Sequence, residues 1–170
     1  ALGTSLGSFA AAAVAGAITV DDALRAVIAQ ATSLEEYCSD GGMLAILADP
    51  EMFSEDFLAE RCELAGVNFP SHFVVSASQA DLVAIEADLR QRGVTFQRLP
   101  VSRAFHSCWI DDARSSFEIS MASIPRAPPR LLFFCCERAT SLSALSEDYF
   151  WRVIRRPIRF QDSINELEKS

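Results

Sequence analysis

The spacing of hydrophobic positions predicts two helices in the first part of the chain. An uncharged, alanine-rich run follows Ser5 and predicts a helix that is packed on all sides. A second helix is expected from 20 to about 38, because Thr19 is a suitable N-cap and two aspartates occupy its first turn. The glycine pair at 41–42 ends this part of the chain.

The next block alternates between strand and helix patterns. It predicts a strand at 43–47, a helix at 50–65 and two strands at 66–69 and 72–76. An amphipathic helix at 79–92, closed by a glycine, and a strand at 94–99 follow. The order β-α-β-β-α-β is typical of a ferredoxin-like fold. We therefore expect residues 43–100 to form a small subdomain inserted into a larger one.

The last block predicts a mixture of helices and one buried strand. The expected elements are a helix at 111–121, a strand at 131–136 after three prolines, and helices at 145–154 and 160–167. The chain is thus predicted to be an α/β protein. Its large subdomain, residues 1–42 and 101–170, would be α/β-hydrolase-like and incomplete at its N-terminus.

The residues GTSLG at 3–7 fit the G-x-S-x-G nucleophile elbow. Two glycines around a serine permit the sharp strand-to-helix turn that holds the serine Oγ clear of the backbone. The helix that follows would point its free N–H groups at whatever Ser5 attacks. Because an elbow needs a preceding strand and only two residues come before Gly3, we expect upstream strands to be missing.

A nucleophilic serine needs a base, and the chain has two histidines. His72 lies in a strand-like run, where a structural role is favoured. His106 lies on the connection after the small subdomain, where catalytic groups are common. An ordinary surface histidine is the alternative for His106.

Composition narrows the class of protein. Half of the residues are hydrophobic and the net charge is −8, which argues against nucleic acid as the main ligand. No apolar stretch is long enough to span a membrane, and no secretory signal is evident. Five cysteines without a C-x-x-C pair predict a reduced, cytoplasmic protein with buried thiols. We expect no metal and no cofactor.

Four arginines near the C-terminus are the dense basic cluster of this acidic chain. They are either a solvated helix end or a docking patch for an acidic partner. The cluster consists of Arg152, Arg155, Arg156 and Arg159.

The chain contains GTSLGSFAA at 3–11, VNFPS at 67–71, LPVSRAFHS at 99–107 and YFW at 149–151. These four segments resemble motifs of the malonyl-CoA:acyl carrier protein transacylases and of the acyltransferase domains of polyketide synthases. The elbow and its helix are similar to the family's GHSLGE-(Y/F)-AA…AGAL stretch. Further likenesses are VNFPS at 67–71 to V-N-x-P-x, LPVSRAFHS at 99–107 to LPVSHAFHS, and YFW…RRPIRF at 149–160 to YW…R-x-PVRF. The likeness covers essentially the whole chain, and the family's N-terminal part is missing.

The resemblance implies a catalytic Ser-His dyad. Ser5 would be the nucleophile and His106 the general base, with the N–H of Leu6 as half of the oxyanion hole. The other half would come from a glutamine of the missing segment. A backbone carbonyl near Val153 would orient the histidine.

One departure from the family pattern concerns the substrate. Members that take malonyl groups have an arginine 25 residues after the serine, where this chain has Gln30. A neutral amide cannot offset the desolvation of a buried carboxylate. Arg25 could take the place of that arginine only if the alignment to the family were shifted. The run from Ser5 to Gln30, however, aligns without a gap. Phe105 is of the type linked to small malonyl units, and Asn68 is the other expected substrate-binding residue.

Three hypotheses follow for function. The first is an enzyme of polyketide biosynthesis that acts on uncharged acyl thioesters of acyl carrier protein or coenzyme A, as a proofreading hydrolase or as an acyltransferase. Arg155 and Arg156 would dock the carrier protein. The second is an ordinary malonyl transacylase. The third is a non-catalytic scaffold or docking fragment. Neither nucleic acid nor a membrane is expected as a partner.

Overall fold

A computed structural model describes residues 1–169, apart from the side chain of Asp56. The helices are α1 Gly7–Val14, α2 Val20–Tyr37, α3 Asp56–Ala59, α4 Gln79–Gln91, α5 Arg114–Met121, α6 Tyr149–Arg155 and α7 Phe160–Leu167. The strands are β1 Leu2–Gly3, β2 Gly41–Leu47, β3 Glu63–Phe69, β4 His72–Ser78, β5 Thr95–Arg98, β6 Phe134–Cys135, β7 Thr140–Ser141 and β8 Ile158–Arg159. Two 3₁₀ helices, Pro50–Ser54 and Cys108–Ala113, complete the list.

The strands form two sheets. The larger has the order β5-β2-β4-β3-β8, and its first four strands are antiparallel neighbours. That order, with α4 crossing between β4 and β5, confirms the ferredoxin-like prediction. The smaller sheet has the order β1-β6-β7, with β1 parallel to β6. The mixed architecture confirms the predicted α/β class.

Two helices begin where local signals place them. The Thr19 side chain accepts a hydrogen bond from the Asp22 N–H at 3.0 Å and caps α2. In the same way, the Ser78 side chain accepts from the Asp81 N–H at 3.2 Å and caps α4. Such caps satisfy N–H groups that have no partner inside the helix.

Two separate hydrophobic cores hold the fold together. One joins α1, α2, α5 and α6, where Phe9 stacks on Phe150 with 4.8 Å between ring centroids. The other lies between α4 and the larger sheet and contains Phe73, Ile46 and Leu82, all fully buried. The subdomain boundaries at 42/43 and 100/101 stay a prediction, although β8 adds residues 158–159 to the larger sheet.

The prediction of one helix over 50–65 is wrong. The segment forms a 3₁₀ helix, the single turn α3, and then β3 from Glu63. Glu63 and Leu64 pair with Ser76 and Val75 of β4. Pairing with a strand that comes later in the chain therefore overrides the local helical preference.

The predicted strand at 131–136 shortens to Phe134–Cys135. Leu131 and Leu132 are 52% and 60% exposed, and the pairing of β6 with β1 involves only Phe134 and Cys135. The predicted helices at 111–121 and 145–154 begin later, at Arg114 and Tyr149.

The cysteines are free thiols, and four of them are buried. Cys108 is exposed, contrary to the expectation that the thiols are buried. The described part of the chain contains no group of three or more residues suited to hold a metal ion. Within residues 1–169, no helix is long and apolar enough to cross a membrane.

The outer face of α1 and α2 is apolar and exposed. Val14, Val20, Leu24 and Ile28 are 59–70% exposed there. The first three of them line an apolar groove of about 490 Å³ to which Leu6 also contributes. Nothing in the described chain covers this face.

Candidate active site

Ser5 sits on a sharp turn between β1 and α1. Its φ of +49° lies in the left-handed region, which costs free energy for any residue other than glycine. The turn is closed by hydrogen bonds from the Gly7 N–H to the Thr4 carbonyl at 2.8 Å and from the Ser8 Oγ to the Gly3 carbonyl at 3.0 Å. The segment therefore has the strand–turn–helix form of a nucleophile elbow.

The two glycines of the motif have different roles. A Cβ on Gly3 would lie 2.2 Å from the carbonyl oxygen of Gly7, so no other residue fits without a backbone shift. A Cβ on Gly7 would meet nothing within 4 Å in the described chain. Only the first glycine is therefore required by the close approach of strand and helix.

His106 faces Ser5 from a loop 101 residues further along the chain. Its Nε2 lies 2.9 Å from the Ser5 Oγ, and its Nδ1 lies 2.8 Å from the carbonyl oxygen of Arg156. A carbonyl only accepts, so Nδ1 carries the hydrogen, and Nε2 is free to accept the Ser5 hydroxyl proton. The His106 N–H also donates to the Ile154 carbonyl at 3.0 Å.

The expectation that a carbonyl near Val153 orients the histidine is wrong by three residues. Val153 lies inside α6, whereas Arg156 follows the last helical residue with an extended ψ of 154°. This change of direction at the helix end turns the Arg156 carbonyl to the imidazole ring.

Burial sets the protonation state of His106. The side chain is 2% exposed, and burial lowers its pKa from the ordinary 6.5 to about 4, against the opposing effect of the hydrogen bond to Arg156. The imidazole is therefore neutral at neutral pH. A neutral imidazole is the form that can accept a proton from serine.

One backbone donor beside Ser5 is free. The N–H groups of Gly7 and Ser8 already donate to the carbonyls of Thr4 and Ser5. Fewer N–H groups at the start of α1 are therefore free to bind a substrate than the sequence predicted. The Leu6 N–H has no acceptor among residues 1–169. It comes directly after Ser5, which is the position of an oxyanion-hole donor in nucleophile elbows.

Gln30 lies on the inner face of α2 and is 6% exposed. Its Oε1 is buried and has no hydrogen-bond partner within the described chain. A neutral amide side chain with an unused acceptor provides no positive charge for a carboxylate.

The other two expected substrate-binding residues lie in different surroundings. Phe105 precedes His106, packs partly against the core of the large subdomain, and accepts a hydrogen bond from Ser76 at its carbonyl. Asn68 donates to the Nδ1 of His72 at 3.1 Å on the β3–β4 hairpin. No hydrogen bond among the described residues links Asn68 to Ser5 or His106.

The arginine cluster is largely neutralised by nearby carboxylates. Arg152 pairs with Glu137 at 2.6 Å, and Arg159 pairs with Asp162 at 2.8 Å. Arg155 is held by Asp111 and by Glu63, and its side chain is 17% exposed.

Arg155, which the sequence suggested as a docking cation, is therefore already paired with two carboxylates of this chain. Arg156 is exposed and has no carboxylate partner among the described residues. It borders a cavity of about 640 Å³ whose wall is rich in charged side chains.

The site thus combines an elbow serine, a buried histidine 2.9 Å away and a neighbouring ferredoxin-like sheet in one α/β chain. The chain belongs to the acyl transferase domain family, whose model matches residues 1–170.

Two curated relatives are polyketide biosynthesis acyltransferase homologs. BaeD of Bacillus velezensis is 38% identical over 96% of this chain and 51% of its own length. PksD of Bacillus subtilis is 36% identical over 98% of this chain and 52% of its own length. The chain thus spans about half the length of these relatives.

A solved structure resembles the fold closely. The acyltransferase domain from module 8 of the salinomycin polyketide synthase superposes with a TM-score of 0.90 at 28% identity. The match covers 99% of this chain and 41% of the solved one. The likeness confirms the predicted α/β fold with its ferredoxin-like part.

Proposed function

We propose that the chain carries the dyad of an acyltransferase-family enzyme, with Ser5 as nucleophile and His106 as general base. The observation that supports this best is the 2.9 Å contact from Ser5 Oγ to His106 Nε2, with Nδ1 anchored on the Arg156 carbonyl. A backbone carbonyl takes the orienting role that a carboxylate has in a triad.

The chemistry proceeds in two halves. As Ser5 Oγ attacks the thioester carbonyl, its proton moves to His106 Nε2, and the Leu6 N–H stabilises the oxyanion. The C–S bond then breaks, His106 returns the proton to the leaving sulfur, and an acyl-serine and a free thiol remain. In the second half, His106 takes a proton from the acceptor, water or a carrier thiol, as the acceptor attacks the ester carbonyl. The ester C–O bond then breaks, and His106 returns the proton to Ser5 Oγ, which releases the free acid or the new thioester.

We further propose that the acyl group is uncharged and that the reaction belongs to polyketide biosynthesis. The buried Gln30 supports the first point, because a malonyl carboxylate next to a neutral amide would lose its hydration without a charged partner. The names of the two curated relatives support the second. The acyl carrier is a carrier protein or coenzyme A, and the acceptor is water in a proofreading hydrolase or a thiol in a transferase.

The test is a time course of intact mass after mixing the protein with acetyl and malonyl thioesters. We expect an acetyl adduct that is absent in Ser5→Ala and forms several orders of magnitude more slowly in His106→Ala. An adduct that decays in buffer supports hydrolysis, and one that persists until carrier protein is added supports transfer.

The alternatives give different results in the same experiment. A faster malonyl than acetyl adduct would favour the malonyl transacylase. An unchanged adduct in Ser5→Ala would contradict the nucleophile assignment. The absence of both an adduct and any release of free thiol would favour a non-catalytic role.

A further inference from the structure

The loop that carries His106 is held from both sides by the larger sheet. Before the histidine, the Ser76 Oγ donates a hydrogen bond to the Phe105 carbonyl. After it, the Cys108 N–H donates to Oε1 of Glu63 at 3.1 Å. Glu63 and Ser76 are directly opposite each other on β3 and β4. One cross-strand pair therefore forms hydrogen bonds with the loop on both sides of His106.

The second carboxylate oxygen of Glu63 reaches the other support of the imidazole. Its Oε2 accepts from Nη1 of Arg155 at 3.3 Å, and Arg155 also holds Asp111 through Nε at 2.6 Å and Nη2 at 3.2 Å. Arg155 directly precedes Arg156, whose carbonyl accepts from the His106 Nδ1. Glu63 thus contacts both chain segments that hold the histidine.

The loop needs such support because its backbone is strained. His106 has a φ of +60°, which persists only where the surroundings hold it. Ser76 is fully buried, so water competes little for its hydrogen bond to the loop. The Arg155 side chain is 17% exposed and that of Glu63 is 37% exposed, so the contacts of Glu63 lie nearer the surface. Two main-chain carbonyls, those of Ile154 and Arg156, accept the hydrogen bonds of the His106 N–H and Nδ1.

We propose that Glu63 is a positioning residue for the dyad: together with Ser76, it holds the His106 loop so that Nε2 faces the Ser5 hydroxyl. The ferredoxin-like sheet would then help to set the geometry of the reaction. This inference rests on the proposed roles of Ser5 and His106.

The experiment measures phosphonylation of Ser5 by a fluorophosphonate, followed by intact mass over a range of reagent concentrations. The dependence on concentration separates the inactivation rate constant from the reagent's binding constant. We expect Glu63→Ala to lower the rate constant about tenfold to a hundredfold, as small displacements of a reacting group do. The binding constant should stay within about twofold.

Three further variants separate positioning from general stability. Glu63→Gln keeps an oxygen that accepts from the Cys108 N–H, and it should recover most of the rate. Asp88→Ala removes an ion pair with Arg61 elsewhere on the same subdomain and should label like the wild type. Ser76→Ala removes the hydrogen bond to the Phe105 carbonyl and should slow labelling as Glu63→Ala does. Thermal unfolding midpoints are measured for all variants.

The outcomes are distinct. A wild-type rate constant in a folded Glu63→Ala would overturn the proposal, as would equal slowing in Asp88→Ala or no recovery in Glu63→Gln. If Glu63→Ala does not fold, Ser76→Ala decides: a wild-type rate constant in that variant would overturn the proposal, and a slowed one would support it. Labelling that is equal in the wild type and Ser5→Ala would instead refute the proposed nucleophile.

Discussion

Ser5 and His106 are two of the three non-glycine residues with positive φ among residues 1–169; Ala139 is the third. Left-handed backbone is costly for L-residues, and it is found where function requires a particular direction of the side chain. Here the two strained positions face each other, with 2.9 Å between Ser5 Oγ and His106 Nε2. The strain supports the proposed roles independently of the hydrogen bond.

The lowered pKa of His106 predicts a broad activity plateau towards acid. Because only the neutral imidazole accepts a proton, the acylation rate of Ser5 should stay constant down to about pH 5. It should then fall as the pH approaches the histidine's pKa of about 4. The measurement is the initial acylation rate against pH, and a midpoint at the ordinary 6.5 would contradict the prediction.

The same group should reduce stability in acid. Between pH 6.5 and about 4, the histidine of the unfolded chain binds a proton, whereas the buried histidine of the folded chain stays neutral. The histidine therefore does not weaken the folded state above pH 6.5. Stability is lost as the pH falls from there through about 4. The difference in free energy of unfolding between the wild type and His106→Gln should shrink over this window, and a constant difference would contradict the burial effect.

Gln30 makes a prediction about substrate charge. Gln30→Arg should raise malonyl over acetyl acylation by about tenfold to a hundredfold, the value of a charge-assisted pair of roughly 1.5–3 kcal/mol. Gln30→Met, which has similar length and no charge, is the matched control. A wild type that already prefers malonyl would show that this reading of Gln30 is wrong.

At the scale of elements, the contact between β1 and α1 decides which glycine of the elbow matters. Gly3→Ala should destabilise the protein by several kcal/mol, since its Cβ would meet the Gly7 carbonyl oxygen at 2.2 Å. Gly7→Ala should stay within about 1 kcal/mol of the wild type, because its Cβ meets nothing within 4 Å. Urea unfolding measures both, and equal losses would contradict the difference.

Element prediction succeeded where the signals were local. The capped helix α2 and the final helix α7 lie within one residue of their predicted ends. It failed for α3 and β3, because the start of β3 depends on pairing with Ser76 and Val75, which come later in the chain. It also missed β8, whose two residues join β3 across about 90 positions of sequence.

At the scale of the whole molecule, the net charge of −8 opposes any acidic partner, so docking must be local. Arg156→Glu should lower turnover on carrier protein about tenfold at low salt and leave small thioesters unchanged. Arg25→Glu, an equal charge change at another exposed arginine without an ion pair in the described chain, is the control. Initial rates at rising salt provide the measurement.

The salt dependence and the control variant show which outcome would contradict local docking. Added salt should reduce the wild-type preference for carrier-bound substrate, because exposed charges are screened. Equal losses for Arg156→Glu and Arg25→Glu would show that net charge, not a docking site, is responsible. Arg155 is unsuitable for this test, since its reversal would break its ion pairs with Asp111 and Glu63.

The sequence alone determined the family likeness, the α/β class, the elbow at Ser5 and the candidate base His106, because each depends on a short motif or a local pattern. Tertiary structure decided the rest of the site. Which carbonyl holds His106, and which arginine stays free, depend on chain segments that meet only after folding. Those contacts follow from packing between distant parts of the chain, and no spacing of residues in the sequence records them.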